Sequence, residues 1–295
     1  MMNDGILIRS LTSLDEVATV ERLQKIIWQI GDSEVTPVHA LHAIQDNGGL
    51  LAGAFDGNEM VGFVLGILGL TGSDEKPVAE RLKLYSMEAG VLPAYQSRGV
   101  GYRLKLAQRD FALGLGLDLI TWTYDPLESR NGRFNIGKLG AVCNIYRRNF
   151  HGELSGINAG LATDRFEVAW PIASQRVEKR LDKERRPLTL NENLNEGAIL
   201  LNPASFTPDG LPIPSSDTLD PTGDALLVEI PADIQAVKQQ DFELAQSWRQ
   251  HTRQLFESLF QNGYIVADFT GTHEKNGRRR SFYQLIRHQS LANNQ

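Results

Sequence analysis

The chain has 295 residues, of which 41% are hydrophobic and 22% charged, and its formal net charge is −6. A chain of this length and composition folds as one large or two ordinary domains and buries a full core. The acidic balance argues against a general nucleic-acid-binding surface, which would be basic. The sequence contains one cysteine, Cys143, so we expect neither an internal disulfide nor a multi-cysteine metal site.

The sequence gives no sign of a leader, a membrane span or a metal site. The first residues lack the basic and apolar regions of a signal peptide, and the most apolar stretch, residues 61–70, is too short to cross a bilayer. The six histidines show no metal-ligand spacing. We therefore expect a cytoplasmic protein with no membrane partner and no bound metal.

Residues 1–172 carry the alternating and helical patterns of an α/β (α+β) domain. Val17, Val20 and Leu23 recur at helical spacing, and the turn residues 56–58 join two strands as a hairpin. The predicted elements are strands at 6–9, 50–55, 60–68, 81–91, 117–122, 141–150 and 165–171, and helices that begin after Thr12 or Ser13 and at 36, 100 and 128.

The remaining chain changes in composition. Residues 173–225 include a densely charged stretch and a segment rich in proline, asparagine and serine, which indicates a linker or an irregular excursion. Residues 226–295 are predicted to form a smaller α/β domain, with a strand at 226–231, one helix at 233–262 and hairpin strands at 264–269 and 281–286. Its order echoes residues 82–150, so a degenerate half-copy of the first domain and an unrelated α/β cap both stay open.

One short motif carries chemistry. It comprises Gln96, Ser97, Arg98, Gly99, Val100 and Gly101. Alone it is weak, since roughly 0.3 matches are expected by chance in a chain this long. Its place between a predicted strand and an amphipathic helix makes it specific, because glycines allow close backbone approach and a helix start binds pyrophosphate. The alternative is a tight strand–helix turn with no ligand.

Residues 91–101 closely resemble the acyl-CoA signature of the GNAT superfamily of N-acyltransferases, and the element order from 6 to 171 is similar to that fold. The resemblance implies a mixed, mostly antiparallel central sheet flanked by helices, with acetyl-CoA or another acyl-CoA as co-substrate. It also implies direct transfer of an acetyl or other short acyl group to a small-molecule amine. Residues 121–127, 135–141 and 164–170 look like a little-characterised two-part subgroup, and its link with N-acylamino-acid racemases suggests amino acids as acceptors.

The resemblance also assigns positions for the coenzyme. In this family the strand before the loop bonds the pantetheine amides through its backbone, which implies Ala89 and Val91 here. The loop at 96–101 would hold the pyrophosphate. Asn131 and Arg133 are expected to approach coenzyme A or substrate. A second glycine loop is not seen, so we expect one coenzyme site per chain.

Proton transfer is assigned to two side chains. Glu88 is the one carboxylate in the predicted central strand, and it is read as the general base, as an anchor for the substrate ammonium, or as half of a structural ion pair. The tyrosine that many relatives use as the acid aligns with Ile136, so this chain departs from the pattern. Tyr124 is the first substitute and Tyr146 the second, and protonation by solvent would need neither.

Several polar residues keep two interpretations. Asp125 and Glu128 either form a turn and helix cap or receive a cationic acceptor. Arg165 binds an acceptor carboxylate or forms a structural ion pair. The arginine run at 278–280 is a solvated hairpin flank or faces a ligand.

Three functions remain open at this point. The first is the acyltransferase, and the second is a non-catalytic acyl-CoA-binding or regulatory module. The third is an unrelated α/β protein with a chance glycine loop. The C-terminal part either walls off the acceptor pocket or forms a homodimer interface.

Overall fold

The computed structural model describes residues 5–72, 76–152, 156, 159–182, 185–216 and 221–287. Residues 1–4, on which the expectation about a leader depends, lie outside these ranges. So does His288, one of the six histidines considered for metal spacing. Residues 217–220 of the predicted linker also lie outside them. The chain divides into two compact units, Met1–Trp122 with Leu154–Gly160, and Thr123–Glu153 with Leu161–Gln295. These bounds differ from the predicted domains 1–172, 173–225 and 226–295.

The first unit is a mixed sheet with helices on both faces. Its strands follow the order β1-β2-β3-β4-β5, antiparallel up to β4 and parallel between β4 and β5. Its elements are β1 (Ile6–Ser10), α1 (Leu14–Trp28), α2 (Val38–Asp46), β2 (Leu50–Asp56), β3 (Glu59–Leu70), α3 (Val78–Arg81), β4 (Leu82–Val91), α4 (Val100–Gly114) and β5 (Leu119–Tyr124), of which the last two residues belong to the second unit. The predicted mixed, mostly antiparallel sheet flanked by helices is confirmed.

Apolar side chains fix which helix covers which face. Val20 and Leu23 of α1 are buried in one cluster with Phe63 of β3. Val100 and Leu104 of α4 belong to a second cluster with strand residues of the opposite face. The sheet is therefore enclosed by α1 and α2 on one side and by α4 on the other, as the alternation of its strands requires.

Strand β4 contains a β-bulge. Glu88 pairs with Leu65, but Ser86 pairs with the next residue of β3, Gly66, so Met87 is an extra residue. A bulge reverses the alternation of side chains along its strand. Ser86 consequently faces α4, whereas Glu88 faces α1 and α2.

The main strands of the second unit follow the order β7-β6-β12-β13-β11-β8. Phe166, Phe256 and Tyr283 form its aromatic centre, with ring centroids of Phe166 and Phe256 4.7 Å apart. The elements are α5 (Ser129–Gly132), a π-helical turn (Arg133–Lys138), β6 (Val142–Arg147), β7 (Arg165–Pro171), α6 (Gln175–Leu181), α7 (Leu190–Asn195), β8 (Ile199–Leu200), β9 (Ser205–Phe206), β10 (Pro212–Ile213), β11 (Ala225–Ile230), α8 (Ile234–Gln240), α9 (Phe242–Gln261), β12 (Tyr264–His273) and β13 (Arg279–Arg287).

Two stretches differ from the expectations. The single helix predicted at 233–262 is wrong, because Asp241 has an extended backbone and its carboxylate accepts a hydrogen bond from the Leu244 amide at 2.9 Å. Aspartate at such a position caps a new helix rather than continuing the old one. Within the predicted linker, Thr189 and Glu192 form a capping box that starts α7.

Candidate functional site

The loop between β4 and α4 has the backbone of an anion site. A 3₁₀ turn at Pro93–Tyr95 follows β4, and Gly99 occupies the N-cap of the 15-residue helix α4 with φ 85°. This left-handed conformation favours glycine. Gly99 provides no capping side chain, so the amides and the positive dipole end of α4 face the loop.

Neighbouring side chains hold this loop in place. The side-chain Nε2 of Gln96 donates to the Val91 carbonyl at 3.0 Å. The Arg98 guanidinium lies over the Tyr95 ring at 5.1 Å from its centroid, and the Tyr95 hydroxyl donates to Asp56 at 3.0 Å. Arg98 itself is exposed, which adds a positive charge beside the helix start.

The backbone of β4 points away from β3 at two positions. The Leu92 amide donates to the Val61 carbonyl of β3 at 2.9 Å. Because backbone groups alternate along a strand, the amides and carbonyls of Val91 and Ala89 point to the other side. On that side β4 pairs with β5 at Leu84↔Ile120 and Tyr85↔Thr121, and in the described part of the chain the pairing goes no farther.

Glu88 occupies a half-buried position on the face covered by α1 and α2. One carboxylate oxygen accepts a hydrogen bond from the Thr36 hydroxyl at 2.5 Å, and the other is buried with no partner among the described residues. Gln24 holds Thr36 by exchanging hydrogen bonds with its backbone at 2.7 and 3.1 Å. Burial raises the pKa of Glu88, and the hydroxyl bond opposes that rise. A carboxylate with a raised pKa suits a general base near neutral pH.

A second polar group lies on the α4 face of the same strand. Lys105 is only 3% exposed, and its amine donates to the Ser86 hydroxyl at 2.7 Å and to the Gln108 side-chain oxygen at 2.9 Å. The amine also lies 3.8 Å from the centroid of the Trp122 ring. Burial lowers the pKa of Lys105 to about 7. No sequence motif singles out this group, although Lys105 and Gln108 continue the buried spacing of Val100.

The two tyrosines that the sequence nominates as acids lie in the second unit. Tyr124 is buried, and its hydroxyl is 3.2 Å from that of Tyr283, which donates to the Pro126 carbonyl at 2.9 Å. Burial raises the pKa of Tyr124 well above its usual value. Tyr146 donates to Asp164 at 2.8 Å, and burial raises its pKa as well.

Three other residues of the second unit that the sequence singles out differ in exposure and contacts. Ile136 is fully buried in the π-helical turn, whereas Asn131 is exposed on α5. Asp125 accepts from the Leu127 amide at 2.8 Å, the contact of a tight turn, and also pairs with Arg249.

Two further charged residues of that unit, Glu128 and Arg280, contact other side chains. Glu128 accepts from Gln235 at 2.6 Å, and burial raises the pKa of Glu128. In the arginine run, Arg280 pairs with Glu229 at 2.6 Å. Among the described residues no group of three or more histidine, cysteine, aspartate or glutamate side chains is arranged to hold a metal ion. No helix in the described ranges has both the length and the apolarity that crossing a membrane would need.

Several solved acetyltransferases are similar to this chain. The Arabidopsis thaliana protein NAA60 in complex with acetyl-CoA is 15% identical, with 56% of this chain and 98% of that chain covered and a TM-score of 0.45. The ribosomal-protein-S18-alanine N-acetyltransferase from Escherichia coli is 16% identical, with 62% and 99% covered and a TM-score of 0.42. An aminoglycoside acetyltransferase from an uncultured soil metagenomic sample is 18% identical, with 45% and 87% covered and a TM-score of 0.39.

No protein-family model matches the sequence, and no curated protein does. At these identities and TM-scores we draw no functional conclusion from the similar structures. The residues of this chain itself and the resemblance of residues 91–101 are therefore what indicate its chemistry.

The raised pKa of the half-buried Glu88 carboxyl predicts a pH-dependent stability. A group whose pKa is raised in the folded state stabilises the fold below its ordinary pKa, about 4.3 for glutamate, and this contribution is lost as the pH rises through the folded value. Relative to Glu88→Gln, the wild type should therefore lose unfolding free energy between about pH 4 and about pH 7.5.

Urea denaturation of both proteins at the two pH values measures this difference. Thr36→Val removes the hydrogen bond that opposes the rise in the Glu88 pKa. It should therefore increase the unfolding free energy that is lost between the two pH values. An identical difference in unfolding free energy between wild type and Glu88→Gln at both pH values would show that the pKa of the carboxyl is not raised.

Proposed function

We propose that this protein is an acyl-CoA-dependent N-acyltransferase, which moves an acetyl or other short acyl group to a small-molecule amine. The observation that carries the proposal is the uncapped start of α4 at Gly99, directly beyond a stretch of β4 whose backbone faces away from β3. The helix start presents backbone amides that can bind a pyrophosphate. The part of β4 that faces away from β3 presents backbone groups that can bind the amides of a pantetheine arm. The match of residues 91–101 to the acyl-CoA signature supports coenzyme A as the ligand.

The coenzyme would contact the two parts of this surface in order. The loop at 96–101 and the start of α4 would bind the pyrophosphate, with the exposed Arg98 adding charge. The backbone of Val91 and Ala89 would bond the pantetheine amides, because both residues point away from β3. Asn131 remains a sequence-based candidate for a further contact.

The reaction needs one base and one acid. The amine nitrogen attacks the thioester carbonyl carbon, the carbon–sulfur bond breaks, and the proton lost by the amine goes to the base. Glu88 suits this role because one of its oxygens is buried with no partner in the described ranges and its pKa is raised. The same oxygen would also suit an anchor for the acceptor ammonium.

The candidates for the acceptor and for the acid come from the sequence alone. Amino acids are the acceptors that the narrower resemblance suggests. Tyr124 and Tyr146 remain the sequence-based candidates for the acid. A homodimer and a cytoplasmic location also remain predictions.

One observation favours a second function. Ile136, at the position where many relatives carry the acid, is an apolar side chain with no exposed surface. A non-catalytic acyl-CoA-binding or regulatory module would need no acid at that position. This alternative predicts tight coenzyme binding without transfer.

Gly99→Ala should weaken acetyl-CoA binding about tenfold, as measured by calorimetry. A residue with a β-carbon costs about 1–2 kcal/mol in the left-handed conformation, and the loop relieves that strain by leaving the geometry that gathers its amides. Gly114→Ala is the matched control, since it lies at the other end of α4 and its β-carbon would contact nothing within 4 Å. Equal affinities of the two variants would refute the role of Gly99.

Glu88→Gln should lower the turnover of acyl transfer about 100-fold while acetyl-CoA affinity stays within about twofold, because a general base acts in the transition state. Thiol release is measured with acetyl- and succinyl-CoA against L- and D-amino acids and polyamines. The exposed glutamate of α3 gives the control Glu80→Gln.

Three results separate the hypotheses. An unchanged rate in Glu88→Gln would remove Glu88 as the base. Tight binding of acetyl-CoA by the wild type with no thiol release across the panel would favour the non-catalytic module. No binding at all would leave an unrelated α/β protein.

A further inference from the structure

The feature that the proposed function leaves unused is the buried amine of Lys105. The last parallel pair of β4 and β5 is Tyr85↔Thr121, so Ser86 and Trp122 are the next residues on the two strands. The Lys105 amine contacts both, at 2.7 Å from the Ser86 hydroxyl oxygen and 3.8 Å from the centroid of the Trp122 ring. It therefore lies where the two strands begin to part, on the α4 face.

The hydrogen bonds around Lys105 leave the hydroxyl proton of Ser86 uncommitted. An ammonium has three hydrogens, and those of Lys105 are directed at the Ser86 oxygen, the Gln108 oxygen and the face of the Trp122 ring. Ser86 accepts from Lys105, and its own hydroxyl hydrogen has no acceptor among the described residues. A serine hydroxyl with an ammonium behind it is arranged to give up a proton.

The expected position of the thioester brings its sulfur to this place. If Val91 and Ala89 bond the two pantetheine amides, the coenzyme runs along β4 towards Ser86. Two carbon atoms separate the last amide from the sulfur, which is little more than the rise of one strand residue, about 3.3 Å. The sulfur then lies level with the bulge at Met87, beside Ser86.

The bulge also separates the base from this hydroxyl. Glu88 faces α1 and α2, whereas Ser86 faces α4, because Met87 reverses the alternation between them. An amine that gives its proton to Glu88 approaches the thioester from one face of the sheet. The proton for the leaving sulfur is then available from the opposite face.

We propose that Ser86 donates the proton to the departing coenzyme A thiolate and that Lys105 replenishes the serine. This assignment rests on the proposed acyltransferase function. As the carbon–sulfur bond breaks, the thiolate takes the Ser86 hydroxyl proton, and the Ser86 oxygen takes a proton from the Lys105 ammonium. The neutral lysine regains its proton from solvent between turnovers. Ser86 is the group that touches sulfur, and Lys105 is a positioning residue that acts through it.

The charge state of Lys105 fits this step. The side chains that face its amine are Ser86 from β4, Gln108 from α4 and Trp122 from β5, and none of the three titrates near neutral pH. Gly66 of β3 adds no side chain. Burial alone lowers the pKa of Lys105 to about 7, so its ammonium gives up a proton far more readily than an exposed lysine.

The test measures turnover against pH for Ser86→Ala, Lys105→Met and Lys105→Arg, at saturating acetyl-CoA and acceptor. Wild-type turnover should fall as the pH rises through about 7, because the ammonium is lost. Lys105→Met should lower turnover about 100-fold and abolish that decline, with acetyl-CoA affinity unchanged. Lys105→Arg should recover much of the rate without the decline, because its guanidinium stays charged. Lys83→Met, on the same strand, is the control.

Ser86→Ala removes the hydroxyl with little change in volume, and it should show the low turnover of Lys105→Met with unaltered coenzyme binding. If Lys105→Met does not fold, Ser86→Ala still decides. An active wild type whose Ser86→Ala and Lys105→Met variants keep both the rate and the alkaline decline would overturn the assignment. So would a loss of rate that parallels a loss of acetyl-CoA affinity. A wild type that neither binds acetyl-CoA nor releases thiol would overturn the proposed function itself.

Discussion

The extra residue Met87 in β4 determines which side chains meet at the candidate site. Without it, Glu88 and Ser86 would share one face of the sheet, because alternate residues of a strand point the same way. With it, the carboxyl lies against Thr36 on the face covered by α1 and α2, and the hydroxyl lies against Lys105 of α4. The parting of β4 and β5 begins at the same level, so the strand edge opens where the two groups are placed.

The positions of Glu88 and Lys105 cost free energy, which apolar side chains in the same places would not. Burial disfavours the charged form of each, so it raises the pKa of Glu88 and lowers that of Lys105, and the two values move towards neutrality from opposite sides. Such a pair places a proton acceptor and a proton donor beside opposite faces of β4. In the proposed function the uncapped start of α4 is the complementary element, because its backbone amides would bind the charged end of a coenzyme.

Local patterns made part of this arrangement predictable. The start of α4 is predictable because its glycines and apolar spacing are contiguous in the chain, and Glu88 stands out as the carboxylate of an apolar strand. The bulge at Met87 depends on register with β3, which is a non-local property, so Ser86 and Lys105 went unnoticed. Asp241 divided a predicted helix for a local reason, since its carboxylate caps α9. The predicted roles of Tyr124 and Asn131 remain predictions.

Amide hydrogen exchange tests most directly whether β4 and the start of α4 bind an acyl-CoA. Acetyl-CoA should slow exchange at Ala89, Val91, Val100 and Gly101 together, because each amide gains a ligand. Inorganic pyrophosphate alone should slow exchange at Val100 and Gly101 while leaving Ala89 and Val91 unchanged. Unaltered exchange at all four amides with saturating acetyl-CoA, or protection confined to residues of the second unit, would contradict the account.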